Sequence, residues 1–268
     1  MAFTLSHCIV AIPLTKFFKQ RIPFASIAIG SMTPDLYRLL TTQSGFVSHQ
    51  WTSVIVPNLF IGLLFCFLWY YIYKPTLSYI FISKYPKTNQ SNHLIRFFLL
   101  IIGLLLGCIT HLIWDGLTHL DHRTLLFHTI LSQEFIIFNQ SYALHFLLQI
   151  FSSFIALPVL FYFMYQYFKN YMQLKIESLG YLKAILCIFI LSTLAGSLYS
   201  FCYIFYLTPN IFNQNAYYYL GRILNLFTVG FLISSTIFCL ILNLYSNRII
   251  FKKLYFLIKN KNLSKFND

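Results

Sequence analysis

Gly107-Cys108-Ile109-Thr110-His111-Leu112-Ile113-Trp114-Asp115-Gly116-Leu117-Thr118-His119 closes an otherwise lipid-soluble run that begins near Phe97. At about 100° per residue, positions 111, 115 and 119 drift by only ~40° at each step, so two imidazoles and a carboxylate share one helix face. Ionisable groups at membrane depth are expensive, and they sit where they meet an ion, a proton or a substrate.

The remainder of the chain explains why that depth is a membrane. Its 268 residues are 58% hydrophobic and only 9% charged, with mean hydropathy +0.69, whereas about a quarter of the residues of soluble domains are charged. Five long apolar runs stand near Val54 to Tyr73, Phe97 to Leu117, His145 to Phe168, Leu182 to Leu207 and Ile223 to Tyr245. Each approaches the ~20 residues a helix needs to cross the hydrocarbon layer. Two weaker amphipathic segments, Phe3 to Phe18 and Ile22 to Leu40, precede them and are separated by Lys19-Gln20-Arg21-Ile22-Pro23. The expected fold is all-α: a polytopic membrane helical bundle of about five spans with an N-terminal helical hairpin. Residues 1–170 would carry the His/Asp cluster, and 171–268 would add two more spans and a basic tail within one integrated membrane domain. No cleavable signal is expected, because no basic stretch precedes the first apolar segment and no small-residue cleavage site follows it.

An antiparallel hairpin brings His7, near the start of its first arm, level with Asp35, near the end of its second. Pro34 disfavours helix at Thr33, so the second arm kinks or ends there and frees backbone carbonyls beside the carboxylate. Asp35 and Asp115 are two of only six acidic residues, the others being Asp121, Glu134, Glu177 and Asp268. Aromatic clusters such as Trp69-Tyr70-Tyr71 and Tyr217-Tyr218-Tyr219 suit the headgroup belt at span ends.

Lys and Arg set the expected orientation. The five-span topology places thirteen basic residues on one side (Lys74, Lys84, Lys87, Arg96, Lys169, Lys175, Lys183 and the six from Arg248 to Lys265) and six on the other (Lys16, Lys19, Arg21, Arg38, Arg123, Arg222). The C-terminus is then cytoplasmic. His7, Asp35, His49, His111, Asp115 and His119 all fall on the opposite, non-cytoplasmic side. The tail from Arg248 to Lys259 interleaves lysines with aromatics directly after a span, which points to anionic lipid headgroups as its partner. No nucleic-acid module is present. The six cysteines are scattered through apolar segments with no C-x-x-C pair, as small buried hydrophobes are.

Imidazole nitrogens and carboxylate oxygens suit Zn, Mn or Fe, and helical His-x-x-x-Asp offers one of each with tips close enough to share an ion. His49 with either Asp35 or His7 would complete three or four ligands and leave a position for water. The candidate metal ligands are therefore His7, Asp35, His49, His111 and Asp115. Asp35 or Asp115 could alternatively orient a ligating His or accept a proton. A shared site requires Asp35, His49 and His111 to converge within about 6 Å of one point. Structural readings stand beside these: a helix-internal His111–Asp115 pair, a Pro-Asp cap at Asp35, an interfacial His49, a Ser6-His7 cap. His119 leads into the following segment, Leu120 to Tyr142, which holds Asp121, His122, His128 and Glu134 and would cover the site, and His145 opens the third span. Arg38, one turn beyond Asp35, could hold a phosphate or pair with that carboxylate.

Phe3-Thr4-Leu5-Ser6-His7, Pro23 through Gly30-Ser31-Met32-Thr33-Pro34-Asp35, Ser48-His49 and Gly107 through His119 together resemble the bacterial membrane family catalogued as domain of unknown function 4184, over about the first 170 residues. The Ser-His start, G-S-x-x-P-D, Ser-His and H-x-x-x-D pattern is also similar, more distantly, to the membrane-bound metal-dependent hydrolase family. It departs from that pattern at Ser48, where Thr is usual, and at Gln50-Trp51. That likeness implies a metal-dependent hydrolase. With the site at headgroup level, the implied substrate is lipid-linked or amphiphilic and the implied cofactor a divalent metal, Zn first. The alternative is a non-enzymatic membrane protein, a transporter or assembly factor, in which the His/Asp pairs bind an ion, carry protons or serve structure. No paired inverted repeats support transport.

Overall fold

The computed structural model describes residues 4–41, 46–83, 92–137, 139–174, 179–207 and 216–264. Its helices are α1 (Thr4–Phe17), α2 (Phe24–Gly30), α3 (Thr33–Leu40), α4 (Trp51–Ser78), α5 (His93–Thr118), α6 (His128–Leu131), α7 (Leu144–Tyr171), α8 (Leu179–Ile204) and α9 (Ala216–Ser264). Five of them, α4, α5, α7, α8 and α9, are long and apolar enough to cross a membrane. The protein is an all-α multi-pass membrane bundle, with spans that overlap those expected. Strand among the described residues is limited to short pieces, including a hairpin of β1 (Glu134–Ile137) with β2 (Gln140–Ala143) between α6 and α7. The linker from Ser83 to His93 lies largely outside the described residues, as do the tail side chains from Arg248 onward.

The chain divides into two compact units. The first comprises residues 1–67 and 83–173, the second 68–82 and 174–268.

In the first unit α1 and α2 form the expected hairpin, and the second arm breaks at Ser31-Met32 before restarting as α3 with Pro34 in its first turn. Proline suits that position, where its missing N–H has no intrahelical acceptor. Side chains stitch the break closed: Ser31 Oγ donates to Ala28 O at 2.8 Å and Thr33 Oγ1 to Gly30 O at 2.8 Å. The α2 helix lies on α5 at near-backbone contact, because the facing residues are Ser26 and Gly30 on one side and Gly103 and Gly107 on the other. A Cβ at Gly107 would collide with the Ile27 carbonyl. Between apolar helices in lipid, close backbone packing replaces the hydrophobic drive available in water. It also sets the Ser31 carbonyl, freed at the α2–α3 break, against the C-terminal half of α5.

In the second unit polar side chains join the spans. The Tyr73 hydroxyl meets Thr236 Oγ1 at 2.7 Å, Thr76 Oγ1 donates to Asn243 Oδ1 at 3.1 Å, and Asn243 Nδ2 donates to Ile72 O at 3.0 Å. These are interhelical hydrogen bonds of the kind that fix register within a bilayer.

Gly107→Val is expected to overpack the α2–α5 contact and destabilise the detergent-solubilised protein by about 1–3 kcal/mol. An unchanged melting temperature would contradict the close approach described above.

Candidate metal centre

Five separate pieces of the first unit deliver ionisable side chains to one place. His7 comes from the opening turns of α1, Asp35 from the first turn of α3, His49 from the turn before α4, His111 and Asp115 from the last turns of α5, and His119 from just beyond it. All six are buried. The ligand atoms of Asp35, His49 and His111 lie within 4.8 Å of one another, and so do those of His7, His111 and Asp115.

Hydrogen bonds on the far side of each ring fix which nitrogen faces the cluster. His111 Nδ1 lies 2.8 Å from the Ser31 carbonyl, which can only accept, so Nδ1 carries the hydrogen. Ser48 Oγ donates its single hydrogen to Pro34 O at 2.8 Å and therefore accepts from His49 Nδ1 at 3.0 Å. Both acceptor carbonyls belong to the interrupted α2–α3 segment. The Ser48 carbonyl is itself held by Ser53 Oγ at 2.7 Å and Asn58 Nδ2 at 2.8 Å.

With both rings neutral, two Nε2 lone pairs face each other across 3.4 Å. Alone, that arrangement is repulsive, and Asp115 Oδ2 adds negative charge 3.4 Å from His49 Nε2 and 3.5 Å from His111 Nε2. A cation among the three atoms reverses the sign of the interaction. The three separations form a closed triangle whose sides match the edge of a tetrahedron built on metal–ligand bonds of 2.0–2.2 Å, which is about 3.3–3.6 Å. Asp35 Oδ1 stands 3.5 Å from His49 Nε2, while its Oδ2 accepts from Thr4 Oγ1 at 2.9 Å. These groups can hold a metal ion.

His7 and His119 attend the other oxygen of Asp115. His7 Nε2 is 4.0 Å and His119 Nδ1 3.5 Å from Oδ1, and the His7 ring stacks on that of His111 with centroids 4.0 Å apart. Burial holds the His119 imidazole down at about 4, so it meets Asp115 as a neutral ring near pH 7.

Arg123 completes the surroundings and was not among the site residues legible in the sequence. Its NH1 donates to Asp115 Oδ2 at 3.0 Å, while its Nε and NH2 fork onto the Asp121 carboxylate. Burial raises the Asp121 pKa, but the Arg123 guanidinium outweighs it and keeps that carboxyl well below the usual carboxylate range. The available signal was a lone Asp-x-Arg in a charge-poor chain, directly after the His/Asp face of α5. It is this arginine, on the loop, that reaches Asp115. The other histidines of the segment sit elsewhere: His122 packs on the Phe46 ring, His128 opens α6, and His145 Nδ1 approaches the Leu131 carbonyl at 3.3 Å. Glu134 accepts from Ser141 Oγ across the β1–β2 hairpin.

The sequence pattern of the family described as "Domain of unknown function (DUF4184)" matches residues 1–242. This chain belongs to the DUF4184 family. The match takes in all six buried His and Asp residues and Arg123, and it extends past the ~170 residues spanned by the quoted motifs through most of α9. No curated protein and no solved structure matches the chain.

Ser48→Ala removes the acceptor that fixes His49 Nδ1–H. It is expected to weaken divalent-metal binding roughly 10- to 100-fold with folding retained, as losses of ligand-orienting partners do. Competition with a chromophoric chelator measures this, and an affinity equal to wild type would remove Ser48 from the site.

Proposed function

We propose that this protein is a membrane-embedded, divalent-metal-dependent hydrolase, with zinc the metal that best suits two imidazoles and a carboxylate in tetrahedral spacing. The observation that carries the reading is the closed triangle of His49 Nε2, His111 Nε2 and Asp115 Oδ2, with sides of 3.4, 3.5 and 3.4 Å and both imidazole hydrogens committed to outer partners. Three protein ligands with one position left over is the arrangement of catalytic rather than structural zinc sites. When bound, such an ion supplies Lewis acidity and acidifies water at neutral pH.

The chain's own residues then divide the work. His49, His111 and Asp115 hold the ion. Asp35 is the proton acceptor: Thr4 occupies its Oδ2, and its Oδ1 is left 3.5 Å from His49 Nε2, at the edge of the triangle. His7 and His119 orient Asp115 through its second oxygen. The reaction is cleavage of an ester-type bond by water: the proton of the attacking water passes to Asp35 Oδ1 and from there to the leaving oxygen, which departs as an alcohol.

The substrate is lipid-linked or amphiphilic, and the site faces the non-cytoplasmic side as the distribution of Lys and Arg directs. Support for the lipid comes from the segment beside the site. Leu125, Leu126, Phe127, Ile130 and Ile136 are exposed apolar side chains in the connection between two spans, with Ile136 81% exposed. Such side chains belong in the interfacial layer where amphiphile headgroups reside.

Elemental analysis of detergent-purified protein is expected to find about one zinc or manganese per chain. The His111→Ala, Asp115→Ala double variant is expected to lose it while keeping its helical circular dichroism. Metal-free wild-type protein would overturn the reading in favour of a structural cluster. Asp35→Asn is expected to retain the metal and to lose about 100-fold or more in hydrolytic rate.

A further inference from the structure

We propose that Arg123 is an anion anchor and that the group cleaved at this site bears a phosphate. The inference rests on the metal reading above and narrows its substrate class.

Arg123 is more heavily organised than a loop arginine needs to be. Its backbone N–H donates to Asp121 Oδ1 at 2.9 Å, Asp121 N donates to Thr124 Oγ1 at 3.0 Å, and Thr124 Oγ1 is in turn within 2.8 Å of the His119 carbonyl. Leu125 N donates to Gly116 O at 2.8 Å, tying the turn to the end of α5. The Asp121 fork then aims the guanidinium at Asp115. Its side chain is 13% exposed, withdrawn from solvent without being sealed.

A guanidinium has five N–H groups. The bonds to Asp121 and Asp115 employ the Nε hydrogen and one hydrogen on each terminal nitrogen. Among the described residues, one N–H on NH1 and one on NH2 are left to bind something else. NH1 itself is 3.0 Å from Asp115 Oδ2, the same oxygen that faces His49 and His111.

A divalent ion on that oxygen and a guanidinium on that oxygen are two adjacent positive centres. An anion with several oxygens removes the repulsion by reaching both. A phosphoryl group does this, one oxygen turned to the ion and another to the fork of Arg123, and planar bidentate recognition of phosphate is what arginine does better than lysine. A neutral carboxylic ester has no charge to place there. Preformed cationic donors around a phosphoryl group also stabilise the charge that develops as it reacts. The simpler role for Arg123, neutralising Asp115 and clamping the turn, accounts for the three bonds made but not for the two N–H groups left over on a guanidinium whose NH1 is 3.0 Å from a corner of the ion-binding triangle.

The test is isothermal titration of zinc-loaded, detergent-solubilised protein with inorganic phosphate and, separately, with dihexanoyl phosphatidic acid, zinc content being measured on each sample. Wild type is expected to bind both. Arg123→Gln is expected to bind either at least about tenfold more weakly, the loss typical of charge-assisted hydrogen bonds, with its zinc retained. Arg123→Lys, which keeps the charge and loses the fork, should fall between the two and guards against a folding defect in the glutamine variant. Tighter binding of the phosphatidic acid than of inorganic phosphate assigns the anion to a lipid headgroup, and equal binding assigns it to phosphate as such. Zinc-loaded wild type that takes up neither ligand, or variants that bind them as wild type does, would overturn the anchor while leaving the metal site standing. Protein that takes up no zinc overturns the metal reading itself, and the anchor with it.

Discussion

A carboxylate in the last turns of a membrane-spanning helix must collect partners, and Asp115 collects them on both oxygens. His49, His111 and Arg123 lie within 3.5 Å of Oδ2, and His7 and His119 within 4.0 Å of Oδ1. Each partner arrives from a different turn of chain, so the cost of burying that charge is met only when α1, the loop before α4, α5 and the loop after α5 assemble together. The site is consequently a folding constraint as well as a chemical one. Its scaffold is the α2–α5 contact, where Gly103 and Gly107 admit the backbone of α2 closely enough for the Ser31 carbonyl to fix His111.

The break between α2 and α3 links sequence to chemistry most directly. A continuous helix would spend the carbonyl of residue 31 on its own N–H groups. Interrupted at Ser31-Met32, it directs that carbonyl to His111, while the Pro34 carbonyl in the first turn of α3 accepts from Ser48, whose hydroxyl meets His49. Two imidazoles therefore present the same nitrogen inward, as two ligands of one metal must. Gly30-Ser31-Met32-Thr33-Pro34-Asp35 thereby supplies a close helix contact, two orienting carbonyls and a buried carboxylate within six residues.

Much of this was legible in the sequence because it is periodic or stereochemical. His111, Asp115 and His119 announce a common face by their spacing, the apolar runs announce five spans by their length, and Pro34 announces a break. What escaped depends on tertiary approach. Nothing in the spacing of Arg123 shows that the turn after α5 folds back over it. Nor does anything around Ser48 show that the Pro34 carbonyl lies beside it, or around Asn58 that it holds the Ser48 carbonyl. His7 was expected level with Asp35, and in the structure the two share one cluster; the finer detail, Thr4 bonding that carboxylate and the His7 ring lying over His111 and towards Asp115, was not legible. Thr4 and His7 stand one turn apart on a short 3-10 segment, and no sequence period tells which of them meets the carboxylate.

Membership in DUF4184 supplies a family without an activity, so the chemistry rests on the arrangement of donors. The measurement that bears on it most directly is X-ray absorption at the zinc edge of the metal-loaded protein. The account expects a shell of nitrogen and oxygen at about 2.0–2.1 Å, with the outer scattering of two imidazoles. A sulfur shell at about 2.3 Å, placing the ion on cysteine, or a spectrum of hydrated zinc without imidazole scattering, would contradict it.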